Sequence, residues 1–209
     1  MRLKTGSLLL SVLIANLLSL AFTREAFAYL TSDVDVGVGY TNIDLKVTDN
    51  SANLTSLGTL DASFNLNNAA WNTAFTLNVT EAMVSSQGPL AWTRLSVGGR
   101  YYLTGFNSQR VIFDNKVEGV YRRPAPFLGA TVGYSAFSVK NLGADTGYFN
   151  AACMDFNLRG GAEVVLGDGI LMTGQWSALI GLPTANTTTG KDISYFGFGI
   201  YVGVKVVSY

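Results

Sequence analysis

Val34, Val36, Val38 and Tyr40 alternate with Asp33, Asp35, Gly37, Gly39 and Thr41. Strict alternation predicts a β-strand with two unlike faces, because successive side chains point to opposite sides. The pattern recurs down the chain. Leu60, Ala62, Phe64 and Leu66 alternate with Asp61, Ser63, Asn65 and Asn67. Trp71, Thr73, Phe75, Leu77 and Val79 oppose Asn72, Thr76, Asn78 and Thr80. Leu95, Val97, Tyr101 and Leu103 oppose Arg94, Ser96, Gly98, Arg100 and Tyr102. Leu128, Ala130, Val132, Tyr134 and Ala136 oppose Gly129, Thr131, Gly133 and Ser135. Met154, Phe156, Leu158, Ala162, Val164 and Leu166 oppose Asp155, Asn157, Arg159, Gly161 and Glu163. Ile170, Met172, Trp176, Ala178 and Ile180 oppose Thr173, Gln175 and Ser177. Phe196, Phe198, Ile200, Val202, Val204 and Val206 oppose Tyr195, Gly197, Gly199, Tyr201, Gly203 and Lys205.

These are eight candidate strands, longer than the about 5 or 6 residues usual in soluble sheets. A tilted strand crossing a bilayer needs about 9–11 residues. Asn67-Asn68 and Gly167-Asp168-Gly169 predict tight turns. Residues 47–55, 84–89, 141–149 and 183–190 predict longer polar loops. Short turns at one end and longer loops at the other are the signature of an outer-membrane barrel. The expected fold is therefore all-β: an eight-stranded antiparallel transmembrane up-and-down β-barrel. Residues 105–124 break the rhythm, being long where a short periplasmic turn is expected. They predict a periplasmic excursion; as an added hairpin in the wall they would make ten strands.

A soluble exported β-sandwich also alternates. Composition separates the two. Hydrophobic residues make up 48% and charged residues 13%, about half the usual charged fraction. The apolar face is continuous, and the opposite face of Gly, Ser, Thr, Asn and charges is too polar for a sandwich core. Tyr40, Trp71, Tyr101, Tyr134 and Trp176 predict aromatic girdles near strand ends. Gly37, Gly39, Gly98, Gly129, Gly133, Gly161, Gly197, Gly199 and Gly203 all share the polar face. There they leave room for larger inward groups, because an eight-stranded barrel is just wide enough to be filled by side chains.

The N-terminus predicts an export signal. Arg2 and Lys4 precede an apolar run over residues 8–22, and Ala26-Phe27-Ala28 supplies the small-x-small cleavage pattern. Residues 1–28 are expected to be removed, leaving a barrel over 29–209. Cleavage takes Arg2, Lys4, Arg24 and Glu25, so 14 basic and 14 acidic residues become 11 and 13, a net charge of −2. That balance gives no basic surface for nucleic acid. One Cys and no His exclude an internal disulfide, Cys/His metal clusters and His-based catalysis. Cys153 has no partner thiol. No cofactor is expected.

The inward face collects the strand charges into a candidate lumen network: Asp33, Asp35, Asp61, Asp155 and Glu163 against Arg94, Arg100, Arg159 and Lys205. Enclosed charges must be paired or hydrated. They predict a salt-bridged plug, or else a narrow ion path opened by pair exchange.

The segment Gly99-Arg100-Tyr101-Tyr102-Leu103 is similar to the GxRYYF strand end of a broad outer-membrane barrel family. Arg123-Pro124-Ala125-Pro126-Phe127-Leu128-Gly129-Ala130-Thr131-Val132-Gly133-Tyr134 is similar to its RPYxGxGxGY strand. Tyr209 is similar to the C-terminal aromatic read by the barrel-assembly machinery. The chain thus resembles small Gram-negative outer-membrane barrels of the OmpA-transmembrane, OmpX and OmpW-like kind. Two departures stand out. Residues 105–122 separate motifs that the family joins by a short turn, and Tyr209 is in register with Lys205, opposite Val202, Val204 and Val206. The resemblance implies an outer-membrane location and lipopolysaccharide as neighbour. Barrel enzymes of this kind resemble one another in using His, so none is expected here. The expected function is a monomeric structural, envelope or surface-interaction barrel with a filled polar lumen; the alternative is a narrow porin-like channel.

Overall fold

The computed structural model describes residues 30–47, 50–68, 71–84, 90–104, 109–113, 116–121, 125–140, 148–167, 169–185 and 192–208. The proposed signal segment, Tyr29, Asp168 and Tyr209 lie outside them. Ten strands follow in chain order: β1 Leu30–Val47, β2 Asn50–Asn68, β3 Thr73–Val84, β4 Leu90–Tyr102, β5 Gln109–Phe113, β6 Lys116–Tyr121, β7 Ala125–Lys140, β8 Tyr148–Gly167, β9 Ile170–Ala185 and β10 Asp192–Ser208. Eight close into one barrel in the order β1-β10-β9-β8-β7-β4-β3-β2, all pairs antiparallel. A single closed barrel replaces the sandwich alternative. β5 and β6 pair only with each other. The 105–124 segment therefore holds a hairpin outside the wall, where β4 pairs directly with β7, and the ten-strand alternative is corrected to eight.

The dimensions follow from register. Tyr40 pairs with Ile200, and the chain of partners continues through Trp176, Gly160, Leu128, Tyr101, Thr73 and Asn68 to Leu30. One circuit thus returns ten residues lower on β1 (40 to 30). With strands about 4.8 Å apart and about 3.3 Å per residue, that shear tilts the strands by about 41° and gives a radius of about 8 Å. Such a bore is the width of a few side chains.

Burial alternates as the sequence pattern requires. The nine lumen candidates are all 3% exposed or less, while Val34, Phe64, Leu95, Val132, Phe156, Ile180 and Val202 are each at least 40% exposed. On β10 the outward apolar row runs from Phe196 to Val206, ten residue steps. At that tilt it is about 25 Å tall, the height of a bilayer's apolar band.

Several boundaries differ from expectation. β1 continues past Thr41 to Val47, and β2 begins at Asn50, so most of the loop expected at 47–55 is strand. Asn67 and Asn68 end β2 rather than forming the turn. The turn lies beyond them and takes in Trp71 and Asn72, the latter at φ 53. Asn tolerates that left-handed backbone better than most residues. Trp176 sits halfway along β9, not at a strand end. It lies over Gly160, where a Cβ would come within 2.6 Å of the indole.

Candidate functional site

The site is the barrel interior, and three layers stack along it. At the end carrying Leu30 and Ser208, Asp33, Asp35, Arg100, Glu163 and Lys205 converge. Lys205 Nζ lies 3.2 Å from Asp33 Oδ2 and also donates to Glu163 Oε1 and, at 3.2 Å, to the Tyr102 hydroxyl. Asn65 and Asn67 donate to the two Asp33 oxygens, each at 2.6 Å. Arg100 is held loosely by comparison. Its Nη1 is 3.6 Å from Asp35 and 3.9 Å from Glu163, and its guanidinium stands 4.8 Å over the Phe127 ring. Ala74, Tyr102, Ala125 and Phe127 form an apolar sector of this mouth on β3, β4 and β7.

The middle layer is tight. Arg159 donates to both Asp61 oxygens, at 3.0 and 3.1 Å. Asp61 also accepts from Asn78 at 3.0 Å, Thr80 at 2.7 Å and Gln175 at 3.0 Å. Arg94 Nε reaches Asp155 at 2.7 Å, with Nη1 on Ser96 and Nη2 on Thr131. Bidentate or multiply bonded guanidinium–carboxylate pairs of this kind are the strong form of a buried ion pair. Asn78 joins the two pairs. Its Oδ1 accepts from Arg159 at 2.7 Å and Arg94 at 3.4 Å, and its Nδ2 donates to Asp61, Ser63 and the Ala62 carbonyl.

The outer layer is apolar. Ile43, Leu45, Trp92, Phe137, Cys153, Leu179 and Tyr195 pack inside the barrel, each 3% exposed or less. Trp92 and Phe137 stack at 6.0 Å, and Phe137 meets Tyr195 edge-on at 5.1 Å. The layer is anchored to the one below. Trp92 Nε1 donates to Ser135, and both Ser135 and the Tyr195 hydroxyl donate to Asp155 Oδ2. Outside this layer the wall turns polar: Asn42, Asp44, Lys46, Glu81, Thr93 and Asn150 face outward and are exposed. On β1 the polarity of the two faces is thus inverted beyond Thr41.

All nine charged residues meet in the lumen, but in two groups rather than one. Asp33, Asp35, Glu163, Arg100 and Lys205 form the lower group, with net charge −1; Asp61–Arg159 and Asp155–Arg94 form balanced pairs above it. Sequence reasoning missed two features. Asn78 was one polar inward residue among many, and its bonds to both ion pairs are visible only in three dimensions. The apolar plug was hidden because Ile43, Leu45, Trp92, Phe137 and Cys153 lie past the ends of the alternating runs, while Tyr195 and Leu179 fall inside runs whose inward faces are otherwise polar or glycine. Ile43 and Leu45 are the available signal: they put apolar residues on the face that carries Asp33 and Asp35. Glycines stand opposite the large inward side chains, as expected. Gly39 pairs with Tyr201 and Gly181 with Tyr195, and a Cβ at either glycine would overlap the tyrosine ring. Among the described residues no three His, Cys, Asp or Glu side chains are grouped as a metal would require.

No protein-family model matches the chain, and no curated protein matches it. Solved structures do. The barrel is similar to the crystal structure of Neisserial surface protein A, with TM-score 0.53 and 12% identity over 84% of this chain and 96% of that one. It is also similar to a major outer membrane protein of Thermus thermophilus (TM-score 0.48, 8% identity, 86% and 99% covered). A third is the N-terminal β-barrel domain of Pseudomonas aeruginosa OprF (TM-score 0.45, 10% identity, 81% and 96% covered). At such identities the likeness is one of fold: a small bacterial outer-membrane β-barrel.

Proposed function

We propose that this chain is a monomeric integral protein of a Gram-negative outer membrane, with a structural, envelope or surface-interaction role and no enzymatic activity. One observation carries the reading: a closed ring of outward apolar side chains surrounds a lumen cross-linked by ion pairs and capped by a packed apolar layer. The outer ring suits acyl chains, and lipopolysaccharide is the natural neighbour at the distal rim. The interior is filled, so the barrel acts through its wall and outer end rather than by passing solutes. Export uses the cleaved segment 1–28, and assembly uses the C-terminal strand ending at Tyr209.

Two measurements test this. On gels, the folded barrel migrates differently before and after heating; recovery in the soluble periplasmic fraction with no such shift refutes membrane insertion. In planar bilayers the wild-type protein gives no steady conductance above that of protein-free membranes. Steady conductance would refute the filled lumen and favour the narrow channel. Conductance that survived neutralising Arg94, Arg100 and Arg159 would also exclude a salt-bridge gate.

A further inference from the structure

The outward apolar rows are not equally tall around the wall. On β8 the row runs without a break from Met154 to Leu166, and on β9 from Ile170 to Leu182, twelve residue steps each. On β10 it spans ten. On β1 and β2, Val34–Tyr40 and Leu60–Leu66 span six, and on β3 Phe75–Val79 spans four. At the strand tilt of about 41°, each step rises about 2.5 Å along the barrel axis. The row is thus about 30 Å tall on β8 and β9 but about 10 Å on β3. β8 and β9 stand across the lumen from β2 and β3. The change is graded around the circuit, so the belt is a wedge.

Polar residues mark its edges on the low side. Above the rows stand Asn42 on β1, Glu81 on β3 and Thr93 on β4, all outward and exposed. Below, Ser32, Asn68 and Thr73 interrupt the rows, with Leu30 and Trp71 isolated beyond them. Register fixes the heights. The row of partners through Phe156 meets Val132, Val97 and Leu77; that through Gly160 meets Leu128, Tyr101 and Thr73. Such rows fall ten residues per circuit of eight strands, hence about four residues over the three strands from β8 to β3. Glu81, four residues above Leu77, is therefore level with Phe156. Thr73 is level with Val164, four residues below Gly160. Tilting the whole barrel would move both edges of one side in the same direction. Here the upper edge falls and the lower edge rises toward β3.

We propose that the barrel is a bilayer-deforming wedge. Lipid of full thickness packs against β8 and β9, and both leaflets are thinned beside β1–β3, drawing headgroups and water to Asn42 and Glu81 at the outer edge and to Asn68 and Thr73 at the inner one. A carboxylate or amide is costly among acyl chains, and a bilayer meets a short apolar face by thinning. The proposal rests on the membrane-barrel reading, and its test separates the two.

In a Cys153→Ser background, a nitroxide is attached at Glu81→Cys, Phe156→Cys, Thr73→Cys or Val164→Cys. Each barrel is folded into palmitoyl-oleoyl phosphatidylcholine vesicles, with the heat-dependent gel shift as the check on folding. Collisions with oxygen, which concentrates in acyl chains, and with a water-soluble nickel chelate report the surroundings of each label. The nickel-to-oxygen ratio is expected to be about 10-fold higher at Glu81→Cys than at Phe156→Cys, and at Thr73→Cys than at Val164→Cys. Equal, low ratios within either pair overturn the wedge and leave membrane insertion standing. High ratios at all four sites refute insertion, and the wedge with it. A high ratio at Glu81→Cys and Val164→Cys with a low one at Thr73→Cys means a tilted barrel in a flat bilayer and overturns the proposal. So do labels at Phe156→Cys and Val164→Cys that neither reagent reaches, because protein then covers the tall face. Should a labelled variant fail to fold, NMR of the unaltered protein decides: cross-peaks from acyl chains to Phe156 and Val164, and from water to Glu81 and Thr73, support the wedge, and acyl-chain cross-peaks at all four overturn it.

Discussion

The middle layer makes a quantitative commitment. Arg159→Met keeps the volume of the side chain and removes its charge. Asp61, 2% exposed, then keeps its bonds from Asn78, Thr80 and Gln175 but loses both guanidinium bonds, at 3.0 and 3.1 Å. Charge-assisted hydrogen bonds contribute about 1.5–3 kcal/mol each. Two of them give about 3–6 kcal/mol, which overlaps the about 3–5 kcal/mol found when one partner of a buried pair is deleted. Arg100→Met is the internal comparison. Its ion contacts are at 3.6 and 3.9 Å and its hydrogen bond to Ser63 is 3.3 Å, so it should cost less, about 1–2 kcal/mol. Adding Asp61→Leu to Arg159→Met removes the stranded charge, and the double variant should lose less than the single one. It should still fall below wild type by about 1–3 kcal/mol, because Gln175 Nε2 loses its acceptor. The assay is equilibrium urea unfolding in lipid vesicles, followed by tryptophan emission and by the heat-dependent gel shift. If Arg159→Met costs no more than Arg100→Met, the tight and loose layers are energetically alike and the reasoning from distance fails.

Three further outcomes are expected. Val202→Arg, in the middle of the β10 belt, should destabilise the vesicle-bound barrel by about 2–4 kcal/mol, whereas Asn42→Arg, beyond the inversion, should stay within about 1 kcal/mol; equal urea midpoints for the two would remove the lipid belt. Single-tryptophan variants should sort by depth with brominated lipids: Trp176 quenched by bromines deep in the chains, Trp71 by shallow ones, and Trp92 by neither, and a quenched Trp92 would place the plug against lipid. Gly39→Leu should lose about 1–3 kcal/mol by driving a side chain against the Ile200 carbonyl and into the Tyr201 ring, and its pairing with Tyr201→Ala should recover only the ring's share of that loss in the same unfolding assay.

Much of the wall was legible in sequence because a two-residue period maps directly onto two faces. The outward rows of Val34–Tyr40 on β1 and Phe196–Val206 on β10 needed no tertiary information. The inward charges were legible for the same reason, since Arg94, Arg159 and Asp61 each sit in the polar phase of their own strand, the face that a barrel must enclose. Which acid meets which base was not legible. Asp61 and Arg159 lie 98 residues apart, and their meeting depends on the ten-residue shear that carries β2 across the lumen from β8. Turn chemistry also misled: Asn67-Asn68 has a turn's composition, yet Asn67 is spent on Asp33 and the chain turns after it.

The polarity inversion explains why the strands overrun the belt. A wall facing lipid needs apolar residues outside and can line its interior with polar ones. A wall standing in water needs the reverse, and Asn42, Asp44 and Lys46 outside Ile43 and Leu45 satisfy it. Three of the four register shifts in the described wall lie in this half: between Thr41 and Ile43 where β1 meets β2, between Gly58 and Thr59 where β2 meets β3, and, somewhat higher, between Ile193 and Tyr195 where β10 meets β9; the fourth, between Val165 and Gly167 where β8 meets β9, lies at the opposite rim. Bulges of this kind bend and twist a strand locally, and barrel rims are where they gather. They let the wall change its course where its surroundings change, from a belt fitted to acyl chains to a tube drawn onto Trp92, Phe137 and Tyr195. The outer plug is then the hydrophobic core of a water-exposed segment. It seals the lumen as a consequence, because a tube about 8 Å in radius cannot pack such a core and keep a bore.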